Sequence, residues 1–208
     1  MKILVWSLLF LLSLASYAKE EAHEFLVKVP DLGSCSQYKD TLQFYEQGAC
    51  SKLIYDFNNK LNFYWGSKEN KKESLNVFYE MWINKNNNIT LDMPLIKLNL
   101  VYLLGQAKWF GYDEISNAEL REYTLRYLDS KDAEIVSSAI SALSIVGENQ
   151  DIEFLKGIIL TEKKGTAEKA LSAAVMILKH HDQVSPFMAG LFPYIKRESL
   201  RVKIKSYM

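Results

Sequence analysis

Reactive and metal-binding side chains are scarce in this 208-residue chain, which has three histidines, two cysteines and no surplus of charge, with 25 Lys and Arg against 25 Asp and Glu. A neutral balance without a basic stripe excludes the counterion-displacing surface that nucleic-acid binders use. Four prolines and nine glycines are too few for disordered linkers. There is no H-E-x-x-H, no G-x-S-x-G, no G-x-x-x-x-G-K-[ST] and no C-x-x-C, so the commonest metal, acyl-transfer, phosphate and redox motifs are missing. His180 and His181 stand beside Asp182 near the end of an expected helix, but adjacent helical residues point about 100° apart and do not converge on one ion. "KKGTAEKA" resembles a phosphate loop only superficially, because its lysines precede the glycine and no second glycine follows. The expectation is a chain with no metal, no cofactor and no catalytic residue, hence not an enzyme.

What is present begins with an address. Lys2 precedes an apolar run over residues 3–14, and Ser16-Tyr17-Ala18 places small residues where a signal peptidase inspects them. Residues 1–18 are expected to be a secretory signal, and the run is too short to span a bilayer, which takes about 20 apolar residues. Removing one base changes the balance to 24 bases against 25 acids, a mature net charge of −1. The expected location is the periplasm or the exterior, with no membrane span after signal removal. In such a compartment Cys35 and Cys50 are expected to pair as one structural disulfide. Geometry sets a condition on it. A helix unbroken over residues 36–47 would be about 18 Å long, whereas bridged Cα atoms lie within about 7 Å, so that helix is short or the bond is absent.

After the signal, residues 19–33 are polar and then extended, with "FLVKVP" as a short strand or arm. Helical patterning follows over 37–47, 51–65 and 73–84, completing an N-terminal helical region over residues 19–93. Pro94 opens a helix over 94–110 that is apolar on nearly every side, which indicates burial among other helices rather than a membrane span, because Lys97 and Asn99 interrupt a stretch already too short. Ser116 and Glu119 form a capping box for residues 117–128, and Asp132 caps a helix that Gly147 ends. Helices are then expected over 151–161, over 167–180 capped by Thr166, over 186–195 capped by Ser185 with Pro193 breaking the last turn, and over 198–206. These elements repeat. "AISALSIVG" at Ala139 aligns with "ALSAAVMIL" at Ala170, an offset of 31, and "LNLVYLLG" at Leu98 aligns with "ISALSIVG" at Ile140, an offset of 42.

The stretch from Asp132 to Gly147 resembles the HEAT-like helical repeats, whose pattern D-x-x-x-V-x-x-A-x-x-A-L-x-x-x-G is met by Asp132, Val136, Ala139, Ala142, Leu143 and Gly147. Ser137 stands where an arginine commonly follows the valine, and Ala167, Ala170, Ala173 and Ala174 hold corresponding places in the next copy. The resemblance covers about residues 94–195. It implies an all-α fold, a short right-handed α-solenoid of about three HEAT-like helix pairs over residues 94–208, following the N-terminal helical region.

Within this frame, the row Ser137, Ser138, Ser141 and Ser144 on an otherwise apolar helix has two readings. In one, small hydroxyls let neighbouring backbones approach and bond to carbonyls one turn back; in the other, they face solvent on an ordinary bundle. Stacked pairs create an inner surface suited to extended partners. The expected function is noncatalytic binding of another protein or peptide in the cell envelope, with Arg121, Arg126, Tyr127 and Lys156 as candidates on the inner helices. The alternative is a glycan or small ligand in an aromatic-lined groove, with Trp109 and Tyr112, at a helix end and loop, as the rings to watch. Most rings have a plainer reading, for Phe78 with Trp82 and Leu61 with Trp65 are helical neighbours that build a core.

Overall fold

A computed structural model describes residues 29, 48–67, 71–84, 87–112, 115–179 and 183–208. Among these residues the fold is all-helical, with nine α-helices and no strand: α1 (Gly48–Ser67), α2 (Lys71–Trp82), α3 (Pro94–Gly105), α4 (Asn117–Leu125), α5 (Ala133–Val146), α6 (Ile152–Leu160), α7 (Thr166–Leu178), α8 (Val184–Leu191) and α9 (Glu198–Lys205). The expected signal, the "FLVKVP" arm apart from Val29, the helix over 37–47, Cys35, and the His180 to Asp182 cluster lie outside the described residues.

Local chemistry sets the boundaries. Asp132 Oδ1 accepts from the amides of Glu134 (2.8 Å) and Ile135 (3.1 Å), which opens α5 as its side-chain type requires. At α7 the structure departs from expectation, because Thr166 is the first helical residue rather than the cap. Glu168 reaches back to the Gly165 amide at 2.7 Å and takes over the capping role. Ser185 likewise lies inside α8, and its hydroxyl donates to the Met208 carbonyl, tying the chain end to that helix. Pro193 lies in the short 3₁₀ turn that follows α8, where its missing N–H does least harm. The long apolar helix closes at Gly105 and tightens into a 3₁₀ turn over Gln106–Phe110.

Gly105 has a packing reason. A Cβ there would meet Val146 Cγ1 at 2.5 Å and Ile145 Cγ2 at 2.8 Å, so its missing side chain lets the end of α5 close on α3. Gly147 is equally confined, since a Cβ there would run into the Leu143 carbonyl and meet Ile177 Cδ1 at 2.6 Å.

One continuous core runs from Cys50 on α1 to Ile204 on α9. Phe78, Trp82 and Leu61 are buried in it, with Trp65 packed against it, as the helical spacing of those rings implied. At its centre α5 packs against α3 on one side and α7 on the other. The other helices cover this row: α2 packs on α3, α4 on α5, and α6 on α7, while α1 lies against α3.

Polar ties join the covering helices in sequence. The Trp82 indole donates to Glu119 at 3.1 Å, linking α2 to α4. Arg121 on α4 grips Asp151, which precedes α6, through Nε at 2.7 Å and through Nη2. Glu162, after α6, accepts from the amides of Lys196 (2.9 Å) and Arg197 (2.5 Å). Three ties therefore link α2 to α4, α4 to the turn before α6, and the chain after α6 to the segment before α9.

Candidate binding groove

The serine row of α5 borders a groove whose floor is α3 and whose other wall is α1. Leu95, Leu98, Asn99 and Tyr102 share one face of α3 and form the floor, because positions at i, i+3, i+4 and i+7 align on a helix. Asn58 and Asn62, one turn apart on α1, stand on one side, and Ser138 and Ser141 on the other. This stretch encloses about 330 Å³ and carries no charged side chain. A second stretch of about 460 Å³ shares Asn58, Leu95 and Ser138 with the first and runs on past Ser51, Ile54 and Tyr55 to Lys52 and Glu134.

The serines neither vanish into a packed interface nor stand fully in water; all four are half-buried. Ser141 Oγ donates to the Ser137 carbonyl (3.1 Å) and Ser144 Oγ to the Ser141 carbonyl (2.7 Å), the back-bonding expected of hydroxyls on a helix. Lys169 of α7 reaches the Ser137 hydroxyl, and Lys203 of α9 reaches that of Ser172 at 2.8 Å. Small side chains on α5 and α7 thus leave room for lysines from the next helix along to lie across them.

Two groove amides are incompletely paired. Asn58 Nδ2 donates to the Leu95 carbonyl at 3.2 Å, which fixes the orientation of its carboxamide and leaves Oδ1 shielded with no partner. Asn99 Nδ2, on the floor, is a shielded donor with no partner. Buried polar atoms are nearly always paired in folded chains, so an orphaned acceptor and an orphaned donor in one groove are informative.

The residues singled out from sequence fall elsewhere. Arg121, Arg126, Tyr127 and Lys156 belong to the covering helices α4 and α6 and the turn after α4, not to the α3, α5, α7 row. Arg121 is committed to Asp151, a carboxylate of 0% exposure, and that hydrogen bond, with burial opposing it, raises the pKa of its guanidinium. Arg126 pairs with Glu122 across one turn, and Lys156 with Glu153. Tyr127 lies half-buried with its ring 5.1 Å from that of Tyr123.

Trp109, 47% exposed, edges a wide depression of about 760 Å³ at the C-terminal ends of α3, α5 and α7, with Lys108, Asn117, Glu148 and Asn149. Lys108 and Asn117 (3.0 Å) donate there to the last carbonyls of α5, those of Ile145 and Val146. Burial lowers the Lys108 pKa against the pull of Glu148. Tyr112 is in a different place, beside Lys72, Leu75 and Tyr79 of α2, so the two rings do not share a site. Cys50 is buried on α1, and its expected partner lies outside the described residues.

Among the described residues no group of three or more His, Cys, Asp or Glu side chains is arranged to hold a metal ion, and no helix is long and apolar enough to cross a membrane. Comparison of the chain with protein-family models, curated proteins and solved structures finds no match.

Proposed function

We propose that the chain is an exported, noncatalytic binding protein: a short array of stacked HEAT-like helix pairs that takes another protein through the groove over α3. The observation that carries this reading is the groove itself, an open trough walled by α1 and α5 and lined by amides, hydroxyls and aliphatic side chains. The pairs α2/α3, α4/α5 and α6/α7, whose second helices form one central row, support the array, since solenoid units contact mainly their neighbours. The uncharged stretch of its lining suits recognition by hydrogen bonding rather than by charge. The binding residues move accordingly from α4 and α6 to Asn58, Asn62, Asn99, Tyr102, Ser138 and Ser141.

A glycan or small ligand in the Trp109 depression is the second reading, favoured by an exposed indole beside Asn117, Asn149 and Gln150. Photoreactive residues placed at Asn62, Trp109 and Lys156 in the producing cell separate the readings. Protein adducts from position 62 and none from 156 are expected. Adducts from 156 alone, or glycan capture that depends on Trp109, would replace the first reading with another.

A further inference from the structure

We infer that the groove reads the main chain of an extended, uncharged peptide segment, with Asn58 and Asn99 completing their hydrogen bonds on it. This rests on the protein-binding reading and names what part of the partner is bound. The Asn58 acceptor and the Asn99 donor are both unpaired on residues of the same uncharged stretch, and both are shielded, so each carboxamide turns to meet a bound segment. A peptide unit offers one N–H and one C=O, so an extended segment supplies both missing partners without introducing charge. Spacing agrees. Asn58 and Asn62 are four residues apart on α1, about 6 Å along the axis, while like-facing groups of an extended chain recur every ~6.6 to 6.8 Å.

The α1 wall from Ser51 to Asn62 is about 16 Å long, room for about five extended residues. Leu95 and Leu98 on the floor suit small aliphatic side chains of the bound segment. A sugar could also meet the two amides, but Tyr102 is the single ring in the uncharged stretch, and the rest of the floor is Leu95, Leu98 and Asn99. Lys52 and Glu134 stand at one end only, so charge on the ligand is tolerated there and excluded further along.

The test uses the full exported chain against two immobilised panels: uncharged peptides, N-acetylated and C-amidated, and neutral oligosaccharides. A retained peptide is then titrated into the wild type, Asn58→Leu and Asn99→Leu, and compared with versions N-methylated at single positions. The expected result is retention of a subset of peptides, with about tenfold or greater loss of affinity in each variant and on methylation at one or two positions. Thermal melting of Asn99→Leu serves as the folding check, and its midpoint is expected to be no lower than that of the wild type, because an unpaired donor has been removed. Should that variant misfold, Ser138→Trp, which fills the groove from its rim, takes its place with the same expected loss. Peptides bound equally well by wild type and variants, and indifferent to N-methylation, would overturn main-chain reading while leaving a protein partner in place. Oligosaccharides retained without peptides would overturn both, and retention from neither panel would overturn the inference about the groove.

Discussion

Replacing Arg121 with methionine removes one side of the tie between α4 and the turn before α6. In the folded protein Asp151 has 0% exposure and accepts twice from Arg121, while one oxygen also accepts from the Glu148 amide at 2.8 Å. The arginine side chain is 19% exposed, so the pair is largely shielded from solvent. Removing one member of a buried pair leaves an uncompensated charge, a loss of roughly 3 to 5 kcal/mol. The remaining amide bond and the nearby protein surface favour the lower end, about 3 kcal/mol. For a domain of this size that corresponds to a fall in melting temperature of about 6 to 12 °C. Combining Arg121→Met with Asp151→Asn removes the stranded charge and is expected to recover at least about 1.5 kcal/mol relative to the sum of the single changes. Calorimetric or circular-dichroism melts of the four proteins make the cycle. Additive single effects, or an Arg121→Met protein within about 0.5 kcal/mol of the wild type, the range of ordinary surface changes, would refute the idea that this pair locks α4 to the turn before α6.

Other perturbations address other parts of the fold. Gly105→Ala adds a methyl group against Val146 and Ile145, and despite alanine's better helix propensity it is expected to destabilise by about 1 to 3 kcal/mol in a denaturant titration. The Glu162 carboxyl is held below its ordinary value of 4.5 by the amides of Lys196 and Arg197. Its contribution is therefore present above that value and lost as pH falls through the lowered one, so Glu162→Gln is expected to show a shallower loss of stability below pH 4.5 than the wild type, measured by melts across pH. Ser141→Ala is expected to change stability by no more than about 0.5 kcal/mol, because its hydroxyl is satisfied by its own helix and borders open space. Pairing of Cys35 with Cys50 predicts an intact mass two hydrogens short of the reduced chain, and equal masses would refute it.

Helix content was legible because its signals are local. Asp132 at the start of α5, Pro94 at the start of α3 and the apolar spacing of both helices act through neighbours within a turn or two. The segments that align in sequence, around Leu98, Ala139 and Ala170, fall on α3, α5 and α7. The caps of α7 and α8 were misassigned because threonine and serine were credited with roles that Glu168 and the chain around Gln183 perform.

The groove was harder to read. Its walls come from α1 and α5, whose bounds are 66 positions apart, and nothing in either segment indicates that they flank one floor. A signal did exist: Asn99 interrupts an apolar helix, and Asn58 and Asn62 repeat at one turn in an aromatic-rich stretch. Arg121 is a binding candidate on sequence alone because its partner Asp151 lies 30 residues ahead, at the start of a separate expected helix, with no local signal of the pairing.

Titration of unlabelled peptide into the ¹⁵N-labelled protein, followed through the side-chain amide resonances of its asparagines, tests binding in the groove most directly. The carboxamide signals of Asn58, Asn62 and Asn99 are expected to shift together along one saturation curve, with the Trp109 indole and Asn117 unmoved. Shifts confined to Trp109 and Asn117, with Asn99 unchanged at saturation, would contradict it.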